Sequence, residues 1–274
     1  MANLKTPLRY PGGKSRALKK LLPFLPDLTE YTEWREPFLG GGSMSIEITK
    51  LYPHLRVWVN DLYYPVFNFW RQLQSRGEDL SEYLVALKET NSVPEDAKRL
   101  FQHSKEHLGT DGDEFKDAIR FYVLNKCSFS GLSESSSFSK QASNSNFSLR
   151  GIKRLPDYQK IIKDWEITNF SYELLLTDNK ETFTYLDPPY RIDTNLYGKK
   201  GSMHKTFNHD KFARNCSLYS SPKLISYNNS QLVKDVFVGY LSATYPLTYT
   251  MRSKGDYLKN QKNRDELVLY NYGI

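Results

Sequence analysis

The stretch from Thr182 to Tyr190 constrains the fold of this chain more than any other. Thr182-Phe183-Thr184-Tyr185-Leu186 is a run of apolar and β-favouring residues, and Asp187-Pro188-Pro189-Tyr190 follows it directly. Consecutive prolines cannot donate to a sheet ladder, so the run predicts a buried strand that ends abruptly at a carboxylate. At that end the chain presents an acid, rigidly directed carbonyl groups and an aromatic ring.

Composition bounds the class of protein. The 274 residues are 39% hydrophobic and 25% charged, as in ordinary globular proteins. No apolar run approaches the roughly 20 residues that a membrane span needs, the N-terminus has no apolar signal core, and two cysteines make no disulfide framework. We therefore expect a soluble protein of a reducing, cytoplasmic compartment, with no membrane partner. The net charge of +7 favours a polyanionic partner such as nucleic acid.

Two glycine-rich turns precede helical patterns. Tyr10-Pro11-Gly12-Gly13-Lys14-Ser15 leads into such a pattern, but a phosphate loop would need a glycine six positions before the lysine, where Leu8 stands. Thr32–Phe38 predicts a first strand, followed by Leu39-Gly40-Gly41-Gly42-Ser43 and a helix. These glycines let the backbone pass close to a ligand, but the third glycine of a dinucleotide fingerprint would fall at Ser45. The turn therefore indicates an α/β cofactor loop without indicating a dehydrogenase.

A second predicted strand, Leu55–Asp61, ends on an acid. Asp61 lies about twenty residues beyond the glycines, where nucleoside-binding α/β folds hold a ribose with a carboxylate. Asp61 also fits a residue that caps a turn, which is a common use of Asp. Strand, glycine turn, helix, strand and acid together predict the front half of a nucleoside-binding α/β domain.

The regular alternation breaks between residues 62 and 164, where we expect a mainly helical insertion. Helical patterns span Pro65–Gln74, Leu80–Glu89 and Glu114–Asn125. A polar tract, Ser128–Lys153, follows them, and its hydroxyls, amides and cations suit contacts to phosphates and base edges. Interspersed phenylalanines extend this interpretation: Phe129, Phe138 and Phe147. Serine-rich tracts are also often flexible surface loops, and the sequence leaves both interpretations open.

An alternation typical of strands returns after the insertion. Strands are predicted at Trp165–Phe170, Thr182–Leu186, Lys223–Tyr227 and Glu266–Tyr270, and helices at Asn208–Leu218 and Ser230–Val236. The predicted fold class is therefore α/β, with one domain built from residues 1–61 and 165–274 around the insertion at 62–164. No metal is expected, because His103 and His107 share a helical face without an acid at the spacing of a zinc site.

These pieces resemble the Dam-like (D12 class) adenine-N6 DNA methyltransferases of bacteria and phages over nearly the whole chain. Pro7–Lys14 looks like the family's N-terminal cofactor motif, Glu36–Ser43 is similar to its glycine-rich S-adenosylmethionine loop, and Asp187–Tyr190 matches its catalytic tetrapeptide. The tetrapeptide alone also occurs in some RNA methyltransferases, but the three motifs in this order are a specific signal. The resemblance implies a Rossmann-like methyltransferase sheet with a target-recognition insertion at 62–164.

The resemblance also implies roles for single residues, with double-stranded DNA as the partner and S-adenosylmethionine as the cofactor. The implied catalytic residues are Asp187, Pro188, Pro189 and Tyr190. The implied cofactor contacts are Tyr10, Lys14, Glu36, Phe38, Gly40, Gly42, Ser43, Asp61, Phe170 and Asp187. The implied DNA contacts are Arg9, Lys126, Ser128, Ser130, Ser137, Lys140, Asn144, Asn146, Arg150, Lys153 and Arg252.

The expected reaction moves a methyl group to the N6 amino group of an adenine flipped out of duplex DNA. That nitrogen is a poor nucleophile because its lone pair is delocalised into the ring. Asp187 and the Pro188 carbonyl would accept from its two N–H bonds and localise the lone pair. Tyr190 would stack on the flipped base. Neither a metal nor a covalent enzyme intermediate is required.

One position departs from the family pattern. In Asn169-Phe170-Ser171-Tyr172, Ser171 stands where the family often has an acid that contacts the cofactor adenine, so Phe170 or the backbone is expected to replace it. Three alternatives stay open at this point: methylation of RNA, methylation of an amide nitrogen in protein, and a DNA-binding protein of the same fold without catalysis. Enzymes that methylate protein amides usually have Asn where this chain has Asp187, which counts against the second alternative. The target sequence, the oligomeric state and the existence of a partner restriction endonuclease do not follow from the chain.

Overall fold

A computed structural model describes residues 4–10, 12–129, 137–190, 207–247 and 264–273 of the chain. The strands are β1 (Glu33–Glu36), β2 (Arg56–Asn60), β3 (Glu166–Thr168), β4 (Thr182–Leu186), β5 (Lys223–Asn228), β6 (Leu241–Leu247) and β7 (Arg264–Tyr270). The α-helices are α1 (Leu18–Leu21), α2 (Ser43–Leu51), α3 (Tyr64–Thr90), α4 (Pro94–His107), α5 (Glu114–Cys127), α6 (Lys140–Ser145), α7 (Leu149–Ile152), α8 (Leu155–Ile162), α9 (His209–Leu218) and α10 (Gln231–Val236). Short 3-10 turns occupy Lys14–Arg16, Leu22–Phe24, Leu28–Glu30 and Tyr172–Leu175.

The described strands form one sheet in the order β3-β2-β1-β4-β5-β7-β6. The first five strands of this order run parallel, and β7 pairs antiparallel with both β5 and β6. The sequence order reverses at β1, since β2 and β3 lie to one side of it and β4 and β5 to the other. In open α/β sheets a ligand crevice opens at such a reversal, outside the carboxyl ends of the strands. The sheet confirms the predicted α/β class.

Strand β4 lies at the centre of the sheet, as its apolar sequence predicts. It spans the predicted Thr182–Leu186, and all five of its residues are buried. Trp34 of β1 stacks on the rings of Phe183 and Tyr185, with centroids 5.6 and 6.0 Å apart. This ring stack fixes β1 against β4, so that the acids that follow the two strands meet at the same edge.

The turn from β1 to α2 is shaped by the protein's own aromatic rings. Gly40 and Gly42 have φ angles of +47° and +64°, which L side chains rarely adopt. A Cβ atom on Gly40 would lie 2.9 Å from the ring of Tyr10, and one on Gly42 would lie 2.7 Å from the ring of Trp70. The glycines are therefore required both by the backbone and by the two rings packed on it.

Helices α3 to α8 follow β2 and precede β3. The predicted patterns at 65–74 and 80–89 are the two halves of α3, which breaks at Arg76 (φ −138°, ψ 35°). Phe69 and Trp70 in its first half are fully buried, and α3 packs on α5 and α8. The hydrophobic core is continuous between these helices and the sheet. The domain boundaries at 61/62 and 164/165 stay a prediction.

The polar tract contains helices that were not predicted. Its serines act as helix caps: Ser139 Oγ accepts from Ala142 N, and Ser148 Oγ accepts from Gly151 N, each at 3.2 Å. The suggestion that Phe147 contacts DNA is wrong, because its ring is fully buried in the core. Phe138 also packs inward, with its ring 5.8 Å from that of Phe101. Where the structure describes the chain, no helix is both long and apolar enough to cross a membrane.

The glycine turn leads to a stability prediction. We expect Gly42→Ala to lower the free energy of unfolding by at least ~2 kcal/mol, because the new methyl group adds a clash with Trp70 to the cost of positive φ. Gly112→Ala is the matched control, since Gly112 has φ +70° and nothing within 4 Å of an added Cβ. The control should lose only ~1 kcal/mol. Urea denaturation measures both, and equal losses would contradict the packing role.

Candidate active site

A cleft opens at the carboxyl ends of β1, β2 and β4, next to the N-terminal turn. Of the ten predicted cofactor contacts, Phe170 does not line it. The nine that do are Tyr10, Lys14, Glu36, Phe38, Gly40, Gly42, Ser43, Asp61 and Asp187. Pro189 lines it too. The structure thus brings together residues from three separate motifs, although what each of them binds stays a prediction.

Lys14 and Asp187 form an ion pair inside this cleft. The Nζ atom of Lys14 lies 2.6 and 2.7 Å from the two carboxylate oxygens of Asp187, and it also donates to Gly12 O at 2.9 Å. Lys14 is only 3% exposed. Burial raises the pKa of Asp187 to about 6, against the lowering effect of Lys14. Lys14 thus stabilises the ionised form of Asp187 against the cost of burial.

Glu36 is anchored through Ser45. The Oε2 atom of Glu36 accepts from Ser45 N at 3.0 Å and from the Ser45 hydroxyl, which in turn accepts from Trp34 Nε1 at 2.8 Å. Burial raises the pKa of Glu36 to about 8, although both bonds from Ser45 lower it. Ser45, which stands where a dinucleotide fingerprint has its third glycine, thus holds the buried Glu36 in place at the cleft.

Asp61 caps the glycine turn. Its Oδ2 accepts from Gly40 N at 2.8 Å and its Oδ1 accepts from Tyr63 N at 2.9 Å. Burial raises the pKa of Asp61 to about 6, against these two hydrogen bonds. The capping interpretation is confirmed, and because each carboxylate oxygen has a second lone pair, capping leaves room for a ribose contact.

Tyr190 is buried beside the ion pair. Its ring stacks on Tyr227 with centroids 6.0 Å apart and planes 23° apart, and Lys14 Nζ lies 4.9 Å from the centroid. Pro188 is buried and Pro189 half-buried. In this state the lysine, not a base, lies over the tyrosine ring.

The segment around Ser171 corrects one detail of the sequence analysis. Phe170 does not line the cleft: Asn60 Oδ1 accepts from its N–H at 2.7 Å, Asn60 Nδ2 donates to its carbonyl at 3.0 Å, and its ring is 48% exposed. Cleft residues that were not predicted as contacts include Leu62, Tyr172, Glu173, Phe207, Asn208 and Lys211. Phe207, Asn208 and Lys211 reach the cleft from the region of α9, and no sequence motif marks them.

The predicted DNA contacts divide by exposure. The exposed ones are Ser137, Lys140, Asn144, Arg150 and Lys153; Arg9, Lys126 and Asn146 are half-buried, and Ser128 is buried. Ser130 and Arg252 lie outside the described residues. Arg9 is held by the end of α5, since its Nη1 donates to Ser128 O at 3.0 Å and its backbone exchanges two hydrogen bonds with the Asn125 amide. Burial and the nearby Arg9 lower the pKa of Lys126 to about 7.

A model of one protein family matches most of the chain. The family is described as D12 class N6 adenine-specific DNA methyltransferase, and the match covers residues 10–252. This range contains the glycine turn, helices α3 to α8 and the Asp187–Tyr190 tetrapeptide.

Curated proteins are similar to the chain over nearly its full length. Type II methyltransferase M.MjaIII of Methanocaldococcus jannaschii is 24% identical, over 97% of this chain and 98% of that protein. Type II methyltransferase M1.LlaDCHI of Lactococcus lactis subsp. cremoris is also 24% identical, over 99% of this chain and 96% of that protein. Modification methylase StsI of Streptococcus sanguinis is 24% identical over 72% of this chain and 31% of that protein.

The relay from Trp34 through Ser45 to Glu36 leads to a prediction. We expect Ser45→Ala to lower the free energy of unfolding by about 1–3 kcal/mol, because it leaves the fully buried indole N–H without an acceptor. Ser75→Ala is the matched control, since Ser75 is also helical and its exposed hydroxyl donates only to Arg71 O. The control should change stability by less than about 0.5 kcal/mol. Thermal or urea denaturation measures the stability of both variants. Equal losses would contradict the role of the Ser45 hydroxyl as the acceptor for Trp34.

Proposed function

The chain belongs to the D12 class of N6 adenine-specific DNA methyltransferases, and we propose that its cleft carries S-adenosylmethionine next to an adenine extruded from duplex DNA. Enzymes of this kind use S-adenosylmethionine in general, and adenine in DNA is their substrate. The proposal concerns which residues hold the cofactor, which groups activate the target nitrogen and which surface meets the DNA.

The cofactor contacts are proposed from the lining of the cleft. The methionine part lies along the turn between β1 and α2, whose residues Gly40 and Gly42 line the cleft. Asp61 accepts from the ribose hydroxyls through its remaining lone pairs. Tyr172 stacks on Phe38, with centroids 5.5 Å apart, and this pair supplies an apolar wall for the adenine ring in place of Phe170. When bound, the cofactor supplies the electrophilic methyl group.

The observation that carries the catalytic proposal is the position of the lysine nitrogen. An N–H donor group lies 2.6 Å from Asp187 and 4.9 Å from the centre of the Tyr190 ring. A target amino group that hydrogen-bonds Asp187 above the same ring has this geometry. Lys14 therefore has to leave Asp187 as the base enters.

The chemistry follows from the two acceptors at the end of β4. Asp187, ionised at neutral pH, and the Pro188 carbonyl accept from the two amino N–H bonds, which localises the nitrogen lone pair toward the methyl group. The prolines fix the direction of that carbonyl. Extrusion of the base is required because an amino group inside the stack cannot reach a buried carboxylate.

The DNA-facing surface is proposed from the exposed cations and amides of the helical segment. Lys140, Arg150 and Lys153 are fit to contact phosphates, and Asn144 is fit to contact phosphate or base edges. Arg9, held by Ser128 and Asn125, extends this surface toward the cleft. Its side chain connects the N-terminal motif to Ser128, where the polar tract begins.

The biological role is proposed from the relatives' names. Two are type II methyltransferases and one is a modification methylase. These names support a role for the chain in modifying the DNA sites of a restriction-modification system.

The first prediction from this proposal concerns Asp187. We expect Asp187→Ala to reduce methyl transfer at least about 100-fold, because an acceptor on the amino N–H is lost. S-adenosylmethionine binding should stay within several-fold of wild type in Asp187→Asn, which keeps an oxygen acceptor for Lys14 and so keeps the N-terminal turn in place. Incorporation of tritiated methyl groups into adenine-containing duplex DNA measures the first effect, and equilibrium dialysis measures the second.

Asp164→Ala is the control for that experiment, because the side chain of Asp164 is 86% exposed. It should retain full activity. If Asp187→Ala methylates DNA at the wild-type rate, Asp187 is not the acceptor for the target amino group.

The second prediction concerns pH. Because protonation removes the charge that makes Asp187 a strong acceptor, kcat/KM should be constant above the pKa of Asp187 in the free enzyme and fall tenfold per pH unit below it. Half of the maximal kcat/KM is expected near pH 6, since Lys14 is paired with Asp187 until the base enters. Asp187→Asn should show no such acid limb. A flat profile down to pH 5 in the wild-type enzyme would contradict an ionised Asp187 as the acceptor.

A further inference from the structure

A buried carboxylate contacts the tetrapeptide from the far end of the chain. The hydroxyl of Tyr190 donates to Glu266 Oε2, across 76 residues of sequence. Tyr190 is 6% exposed and Glu266 is 2% exposed. Removing a carboxylate from water costs several kcal/mol unless it accepts good hydrogen bonds, so a buried Glu at this place requires an explanation.

Glu266 lies where its backbone cannot shift. It belongs to β7, which pairs with β5 on one side and β6 on the other, and it stands opposite Asn228 and Tyr245. Residues opposite one another in antiparallel strands share a face of the sheet. The Tyr245 hydroxyl on that face is buried and makes no hydrogen bond to any described residue. The backbone of Glu266 is thus held by two neighbouring strands.

The ring of Tyr190 is fixed by contacts of different kinds. Tyr227 stacks on it, and the Tyr227 hydroxyl lies 2.6 Å from His209 Nδ1, which steadies the stack. These contacts determine the plane of the ring. The bond to Glu266 determines how the ring is rotated and how far it reaches within that plane.

We infer that Glu266 is a positioning residue for methyl transfer, which holds the Tyr190 hydroxyl so that the ring keeps one orientation beneath the target base. The inference rests on the proposed function, because only an enzyme that uses Tyr190 as a platform for a base needs this precision. Glu266 acts through Tyr190 and does not line the described cleft.

The charge of Glu266 also affects Asp187. The titratable groups that face Asp187 from the surrounding elements are Lys14 of the N-terminal turn, Glu36 of β1, Tyr185 of β4, Tyr245 of β6 and Glu266 of β7. Burial has the largest effect on the pKa of Asp187, Lys14 lowers that pKa and Glu266 raises it. A neutral side chain at position 266 should therefore move the acid limb of the pH profile to lower pH.

The experiment separates the hydrogen bond from the charge. Glu266→Gln keeps the size and an acceptor for the Tyr190 hydroxyl, so kcat should stay within a few-fold while the acid limb moves to lower pH. Glu266→Ala loses the acceptor, and kcat should fall about 10- to 100-fold. The KM for S-adenosylmethionine should be unchanged in both variants.

Asp265→Asn is the matched control. It makes the same charge change one residue earlier on β7, where the exposed side chain points to the opposite side of the sheet. Neither kcat nor the acid limb should move in this variant. An equal shift of the limb would mean that the effect is one of net charge, and would overturn the inference.

Tyr190→Phe tests the coupling without altering Glu266, because it removes only the hydroxyl. Its loss of kcat should be comparable to that of Glu266→Ala. The double variant Tyr190→Phe/Glu266→Ala should be as active as Tyr190→Phe alone, since the two residues act through one bond. Additive losses, or wild-type kcat in both Glu266→Ala and Tyr190→Phe, would refute the positioning role.

Asp187→Ala, assayed in parallel, distinguishes this failure from failure of the proposed function. An active Asp187→Ala enzyme would refute the catalytic proposal itself. An inactive Asp187→Ala enzyme beside fully active Glu266 variants would refute only the role of Glu266.

Discussion

The ion pair between Lys14 and Asp187 is the interaction on which the arrangement of the cleft depends. It joins the N-terminal turn to the end of β4 across 173 residues, and both side chains are largely removed from water. Breaking such a pair by removing one partner costs about 3–5 kcal/mol, because the other charge is left buried. The N-terminal turn is therefore held against the sheet, and with it the Tyr10 ring that packs on Gly40.

The fold was predictable where one local signal dominated. Strand β4 was predicted with its true ends because a β-favouring run meets an acid and two prolines. The two halves of α3 were predicted as separate helices, and the structure joins them across a break at Arg76. Strand β6 was not predicted, because Pro246 lies inside it and proline within a run argues against a strand. Its pairing with β7 is a tertiary feature that the sequence does not show. Helices α6 and α7 were missed because serines that cap helices look like serines of a flexible tract.

The site was predictable to the extent that its residues sit in contiguous motifs. Glu36, Gly40, Gly42 and Asp187 were found because strand ends and glycine turns mark them in the sequence. The ring contact of Tyr172, and the arrival of Lys211 from α9, depend on tertiary packing that no spacing encodes. The bond from Tyr190 to Glu266 is of the same kind, since strand pairing alone brings these two residues together.

Trp70 contributes both to the stability of the core and to the shape of the cleft. It is fully buried in α3, so its replacement would be classed as a core defect. Yet its indole nitrogen donates to Gly40 O at 3.0 Å, and its ring limits what position 42 can hold. Engineering that repacks the core for thermostability should therefore leave position 70 untouched, because a better-packed side chain there would still release the turn that lines the cleft.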